Sequence, residues 1–160
     1  MRPPACMIAC VNTSPQEVPV SARTVPLPDD VIALLRAPAP CFVTTLMPDG
    51  SPQITQVWVD TDGEHILINT AEGRQKTRNI RRDPRVAVNL VDPANAWRLA
   101  TIRGRVVEIT TEGADDLIDQ LANKYLGVES YPFRNPEETR VTLKIAPERI
   151  SEIGLEPQEA

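Results

Sequence analysis

The stretch Ile66–Val91, ILINTAEGRQKTRNIRRDPRVAVNLV, decides how the rest of the chain is read. It runs strand, turn, short basic helix, strand. Ile66 to Thr70 carries β-forming residues into Glu72-Gly73, which breaks the run. Arg74 to Asp83 suits a helix of a few turns. The residue before a proline is driven out of helical geometry, so Asp83 is expected to end it ahead of Pro84. Val86, Val88, Leu90 and Val91 resume a strand.

The helix is crowded with cations: Arg74, Lys76, Arg78, Arg81, Arg82 and Arg85, six of the 17 Lys and Arg in the chain. Those late in the helix suit the negative end of its dipole. Arg74 and Lys76 sit at the other end, where the dipole disfavours each by roughly 0.3–1 kcal/mol. Free backbone N–H groups at a helix start already attract anions. Arg74 and Lys76, with the hydroxyls of Thr70 and Thr77, would there make a phosphate cradle. A solvated basic face fits the same spacing, and the residues alone leave both readings open.

The totals narrow the classes. A length of 160 residues implies one domain. The formal charge of -5 argues against general nucleic-acid binding, which is usually the work of a basic domain. Two Trp, two Tyr and two Phe are too few for a base-stacking platform. A local basic patch on an acidic protein suits a small anionic ligand. Cys6, Cys10 and Cys41 are an odd set, His65 is the single histidine, and no zinc spacing occurs, so no metal is expected. No apolar run approaches the roughly 20 residues of a membrane span. Ala5 to Val11 follows Arg2 but is at the short limit for a secretion signal, and a cytoplasmic location is expected.

Working outward, residues 1–28 are proline-rich without a period and read as a disordered extension. Asp29 and Asp30 open a short helix through Val31, Ile32, Leu34 and Leu35. Cys41–Met47 is a strand, and Pro48-Asp49-Gly50-Ser51 is a hairpin turn. Pro52–Asp60 is the next strand, with Gln53, Thr55, Val57 and Val59 on one face and Ile54, Gln56, Trp58 and Asp60 on the other. Mixed polarity on both faces fits a strand lining a site or interface, or a barrel strand with its ends in water. Asp62-Gly63 turns into Glu64–Thr70, which completes a meander. After the basic helix and its strand, Trp97 begins a long strand to Thr110, and Gly104 near its middle suits a bulge.

Thr110-Thr111-Glu112 is expected to cap a helix whose Ala114, Leu117, Ile118, Leu121, Ala122 and Tyr125 share one face. Gly127 fits its terminating left-handed position. The loop from Val128 to Thr139 holds Tyr131-Pro132-Phe133-Arg134 and is either a lid or a connection. Arg140–Ala146 and Arg149–Ile153 are final strands, and 155–160 is a frayed end. Many short strands with tight turns favour an antiparallel barrel. Neither a βαβ repeat nor a Gly-rich dinucleotide fingerprint is present.

The run GRQKTRNIRRDPRVAV, after a three-stranded meander and before a Trp-led strand, resembles the flavin/deazaflavin oxidoreductases that share the split β-barrel of pyridoxamine 5′-phosphate oxidase. Its KTRNIRRDPR core is similar to the actinobacterial branch that uses coenzyme F420, an 8-hydroxy-5-deazaflavin. The resemblance covers roughly residues 29–154. It implies a mainly β split barrel with flanking helices and a homodimer with two cofactor sites at the subunit interface. Its hydride transfer would run between C5 of the cofactor and a small conjugated or heterocyclic substrate.

Residue by residue, the resemblance implies that Arg74 and Lys76 hold the phosphate, and Asn69 and Thr70 contact the same tail or ring edge. Gln53, Val57 and Trp58 would lie along the deazaflavin ring. Trp97 and Arg98 would come from the partner subunit, and Asn79 would brace the phosphate region. A second phosphate cradle and the substrate Arg/His set of pyridoxal-phosphate synthesis do not appear in the sequence. Two alternatives stay open: an FMN-binding oxidoreductase of the same fold, and a non-catalytic carrier of the deazaflavin.

Overall fold

A computed structural model of the protein describes residues 24–154. The expectations for residues 1–23 and 155–160 lie outside the described residues. In chain order the elements are α1 (Asp29–Arg36), β1 (Cys41–Leu46), β2 (Pro52–Val57), β3 (Val59–Thr61), β4 (Ile66–Ala71), α2 (Gln75–Arg82), β5 (Arg85–Asp92), β6 (Asn95–Thr110), α3 (Ala114–Leu126) and β7 (Arg140–Ile153). Val25 and Leu27 already belong to the body: Val25 N donates to Pro147 O at 2.8 Å, and Leu27 is buried in the core.

All seven strands form one antiparallel sheet in the order β2-β1-β5-β6-β7-β4-β3. Its first and last members are the two halves of a single segment divided at Trp58. The sheet therefore curls until its two edges meet in one piece of chain. Val57 faces Cys41 on one side of the division, and Val59 faces Ile68 on the other. This is the split β-barrel that the sequence led us to expect. The sequence reads 52–60 as one strand; the structure breaks it where the pairing partner changes from β1 to β4.

Period-two alternation fills the barrel. Val43, Val88, Ile102, Leu143, Ile145, Ile66 and Ile68 point inward and are almost fully buried. Helix α1 adds Val31 and Leu35 to the same core. Gly104 lies where β6 crosses β7 at closest approach. A Cβ there would stand 2.4 Å from Ala146 O, so only glycine fits. Arg103 faces Arg149 and Gly104 faces Pro147, which leaves Glu148 as the extra residue of a bulge. Proline is tolerated at a bulge. β7 therefore runs unbroken from Arg140 to Ile153, where the sequence suggests two strands.

A second, smaller core lies outside the barrel. Leu117, Ile118 and Leu121 of α3 pack with Trp58, Leu67, Tyr125 and Tyr131. The expected threonine cap is replaced: Gly113 takes the N-cap position of α3, and no side chain caps the helix. Thr110 Oγ1 instead accepts from Glu112 N at 3.1 Å. Gly127 closes the helix with φ 70°, the left-handed conformation that glycine adopts without a Cβ clash. Near that end Lys124 Nζ donates to Leu35 O at 2.9 Å and Val59 O at 2.7 Å. It also pairs with Asp60 at 2.9 Å. Tyr125 Oη donates to Ala39 O at 2.9 Å and accepts from Val59 N at 3.3 Å. These bonds pin α3 across the break at Trp58. Among the described residues no helix is long and apolar enough to cross a membrane.

Candidate functional site

Helix α2 starts at Gln75, with Arg74 as its N-cap residue and no side chain capping the free N–H groups. Its cations, and Arg85 at the start of β5, have different fates. Arg78 donates to Gly73 O and Gln75. Arg81 pairs with Glu72, Arg82 donates to Leu46 O, and Arg85 pairs with Asp83 at 2.6 Å. Those four form the solvated face that the spacing allows. Lys76 turns the other way. It is only 8% exposed and has no ion-pair or hydrogen-bond partner among the described residues.

Lys76 faces a cavity of about 410 Å³ on the outer side of β4, which is within the usual size of a small-molecule site. Arg74 and Arg140 line the same cavity. Arg140 is buried, and its Nε and Nη2 donate to Asn69 Oδ1 at 2.8 and 2.5 Å. Asn69 is fixed from its other end, donating to Ala114 O at 2.6 Å. Two buried polar atoms here lack a hydrogen-bond partner among the described residues: Arg140 Nη1 and Thr70 Oγ1. Burying polar atoms without partners costs about 1–3 kcal/mol each, so unpaired groups gathered at one cavity point to a ligand. Burial, then Arg74 and Arg140, hold the Lys76 ammonium below its ordinary pKa. Burial, then Arg74, lower that of Arg140 as well. Cations that depress one another gain when an anion enters between them. The donor set therefore fits the anionic arm of a cofactor.

The opposite wall is aromatic. Trp58 stacks on Tyr125 at 5.4 Å and 9° and meets Tyr131 edge-on at 5.9 Å. Tyr131 in turn meets Phe133 at 5.7 Å, and the Arg140 guanidinium lies 5.3 Å from the Tyr131 ring centre. The chain holds only six aromatic residues of the Phe, Trp and Tyr types, and these four stand together. Arg134 fastens the loop that carries Tyr131 and Phe133, pairing with Asp115 at 2.5 Å and Asp119 at 2.8 Å. The cavity thus has a cationic end and a flat apolar flank.

Of the residues nominated from sequence, Val57, Trp58, Asn69, Thr70, Arg74 and Lys76 line this cavity together. Gln53 and Asn79 lie elsewhere, in a polar cluster where Asn79 Nδ2 donates to Thr45 Oγ1 at 2.9 Å and to Gln53 Oε1 at 3.3 Å. Thr77 Oγ1 donates to Ala71 O at 2.9 Å and so holds the turn before α2. Trp97 stands 85% exposed near the start of β6. Arg98 pairs with Asp92 at 3.0 Å and donates to Gly154 O at 3.0 Å. Sequence reasoning missed Arg140, a lone cation opening a strand, which carries no local signal. It left Tyr131 and Phe133 undecided; the concentration of a scarce residue type was the available clue.

Comparison with known proteins places the fold. A protein described as an F420 reductase shares 30% identity over 78% of this chain and 98% of its own, with a TM-score of 0.68. A conserved hypothetical protein from Mycobacterium tuberculosis matches at 24% identity, covering 87% of this chain and 94% of its own, with a TM-score of 0.64. A putative pyridoxamine 5′-phosphate oxidase from Listeria innocua matches at 21% identity over 78% and 95%, with a TM-score of 0.57. The last two likenesses show the fold. A family model described as pyridoxamine 5′-phosphate oxidase spans residues 27–154, nearly the whole described body, and the chain belongs to that family.

Proposed function

We propose that this protein is an oxidoreductase that holds a flavin-like cofactor in the crevice between α2, β4 and the 128–139 loop, and that the cofactor is coenzyme F420. The observation that carries the reading is Lys76, a buried cation without a counter-ion, converging with Arg74, Arg140 and Thr70. The 30% identity to a protein described as an F420 reductase favours the deazaflavin. When bound, that cofactor supplies hydride chemistry at C5 of its ring. The chain's own residues bind and orient. Lys76, Arg74 and Arg140 neutralise the arm, and Thr70 offers its hydroxyl. Val57 and Trp58 form the surface for the ring, while Tyr131 and Phe133 screen it from water. In a homodimer, Trp97 and Arg98 would approach the neighbouring site.

A small conjugated or heterocyclic molecule is the substrate class that fits an aromatic flank. FMN is the second reading, because a cradle for a phosphate arm does not by itself choose the ring. Titration of the pure protein with oxidised F420 and FMN side by side decides between them. Tighter binding of F420 is expected, and tighter binding of FMN overturns the assignment. Turnover of a quinone, enone or tetrapyrrole panel with reduced F420 is expected; binding without any turnover would leave a carrier as the better description.

A further inference from the structure

Three cations meet at the cradle, but a carboxylate stands behind them. Glu138 Oε1 and Oε2 lie 3.0 and 2.9 Å from Arg74 Nη2, and Oε2 lies 3.6 Å from Arg140 Nη1. That second distance is too long for a hydrogen bond, and Arg140 Nη1 stays unpaired among the described residues. Glu138 is not part of the cavity lining. It is held in place locally: its own N donates to Asn135 O at 3.0 Å, and Thr139 O accepts from Glu72 N at 2.9 Å beside the start of α2. The carboxylate thus pairs with Arg74 and stands near Arg140 without lining the cavity.

The geometry points to Glu138 as a charge filter on the cradle, biasing it against doubly charged phosphomonoesters and toward singly charged phosphodiesters. The inference rests on the cofactor reading above. The physics is simple. A fixed negative charge behind the site repels every anion, and repels a dianion twice as strongly as a monoanion. FMN ends in a phosphomonoester, whereas the F420 arm is a phosphodiester. The three cations on their own attract a dianion twice as strongly as a monoanion, and one carboxylate would narrow that advantage. Arg74 and Arg140, the two cations beside Glu138, carry the effect.

The test keeps the ring constant. Oxidised F420 is bound to the full chain, and displacement is measured at pH 8 with FMN and with its methyl phosphodiester, in wild type, Glu138→Gln and Arg74→Gln. Glu138→Gln is expected to tighten FMN about tenfold and the methyl diester about threefold, after allowance for a partly exposed carboxylate. Arg74→Gln is expected to weaken both. A merely structural Arg74–Glu138 pair would make the two variants change in the same direction, and that result overturns the filter. An unchanged FMN-to-diester ratio in Glu138→Gln, with F420 still bound by wild type, overturns it too and leaves the cradle standing. Failure of wild type to bind F420 removes the cofactor reading and the filter together.

Discussion

The two sides of α2 carry the same kind of residue under opposite conditions. On the outer side Arg78, Arg81 and Arg82, with Arg85 just beyond the helix, lie in water, and each has found an acceptor nearby. Such pairs are worth little, about 0–1 kcal/mol. On the inner side Lys76 has lost most of its water and gained no counter-ion. A chain keeps a buried, unpaired cation only against a cost. The difference teaches that a cluster of positive charge signals function through the member that lacks a partner, and that the count of charges says much less.

The comparison can be broken most directly at Lys76. Lys76→Ala is expected to weaken F420 binding about 30-fold, roughly 2 kcal/mol, as read by fluorescence titration; unchanged affinity would end the assignment of the inner side. Arg140→Met is expected to lose about tenfold in the same titration, since it removes one cation of the cradle and the clamp on Asn69. Retained affinity would show that Lys76 and Arg74 suffice.

Stability sharpens the contrast. Lys76→Met, which relieves the buried charge, is expected to stabilise the unliganded protein by about 1 kcal/mol in urea unfolding. The advantage depends on pH with a definite sign. The folded-state pKa of Lys76 is lowered below 10.5, so the unfolded state binds the extra proton and wild type gains stability as pH rises through that window. The advantage of Lys76→Met should therefore shrink toward pH 10.5 and be largest near neutrality. An advantage that grows with pH would contradict the burial. At the small end, Arg81→Ala is expected to change stability by less than about 0.5 kcal/mol and F420 affinity by less than about twofold. A larger binding loss would mean that the outer side belongs to the site as well.

Much of the architecture was legible because it rests on short-range rules. The hairpin turn at Asp49-Gly50, the amphipathic face of α3 and the closure at Gly127 each depend on a few neighbouring residues. Readings failed where a distant partner decides. Trp58 looks like the middle of a strand until β1 and β4 claim its two sides. Pro147 looks like a strand break until Gly104 makes room for a bulge opposite it.

The sequence by itself determined most of the order of elements, the antiparallel barrel and the crowding of cations at one short helix. Local propensity and charge placement act over a few residues and survive without knowledge of the fold. Only the tertiary structure decided which cations turn inward and which aromatic rings face them. It also decided that Arg140, 64 positions beyond Lys76, lines the same cavity. Burial is a property of what packs on top, and neither a counter-ion nor its absence can be read until the chain has closed on itself.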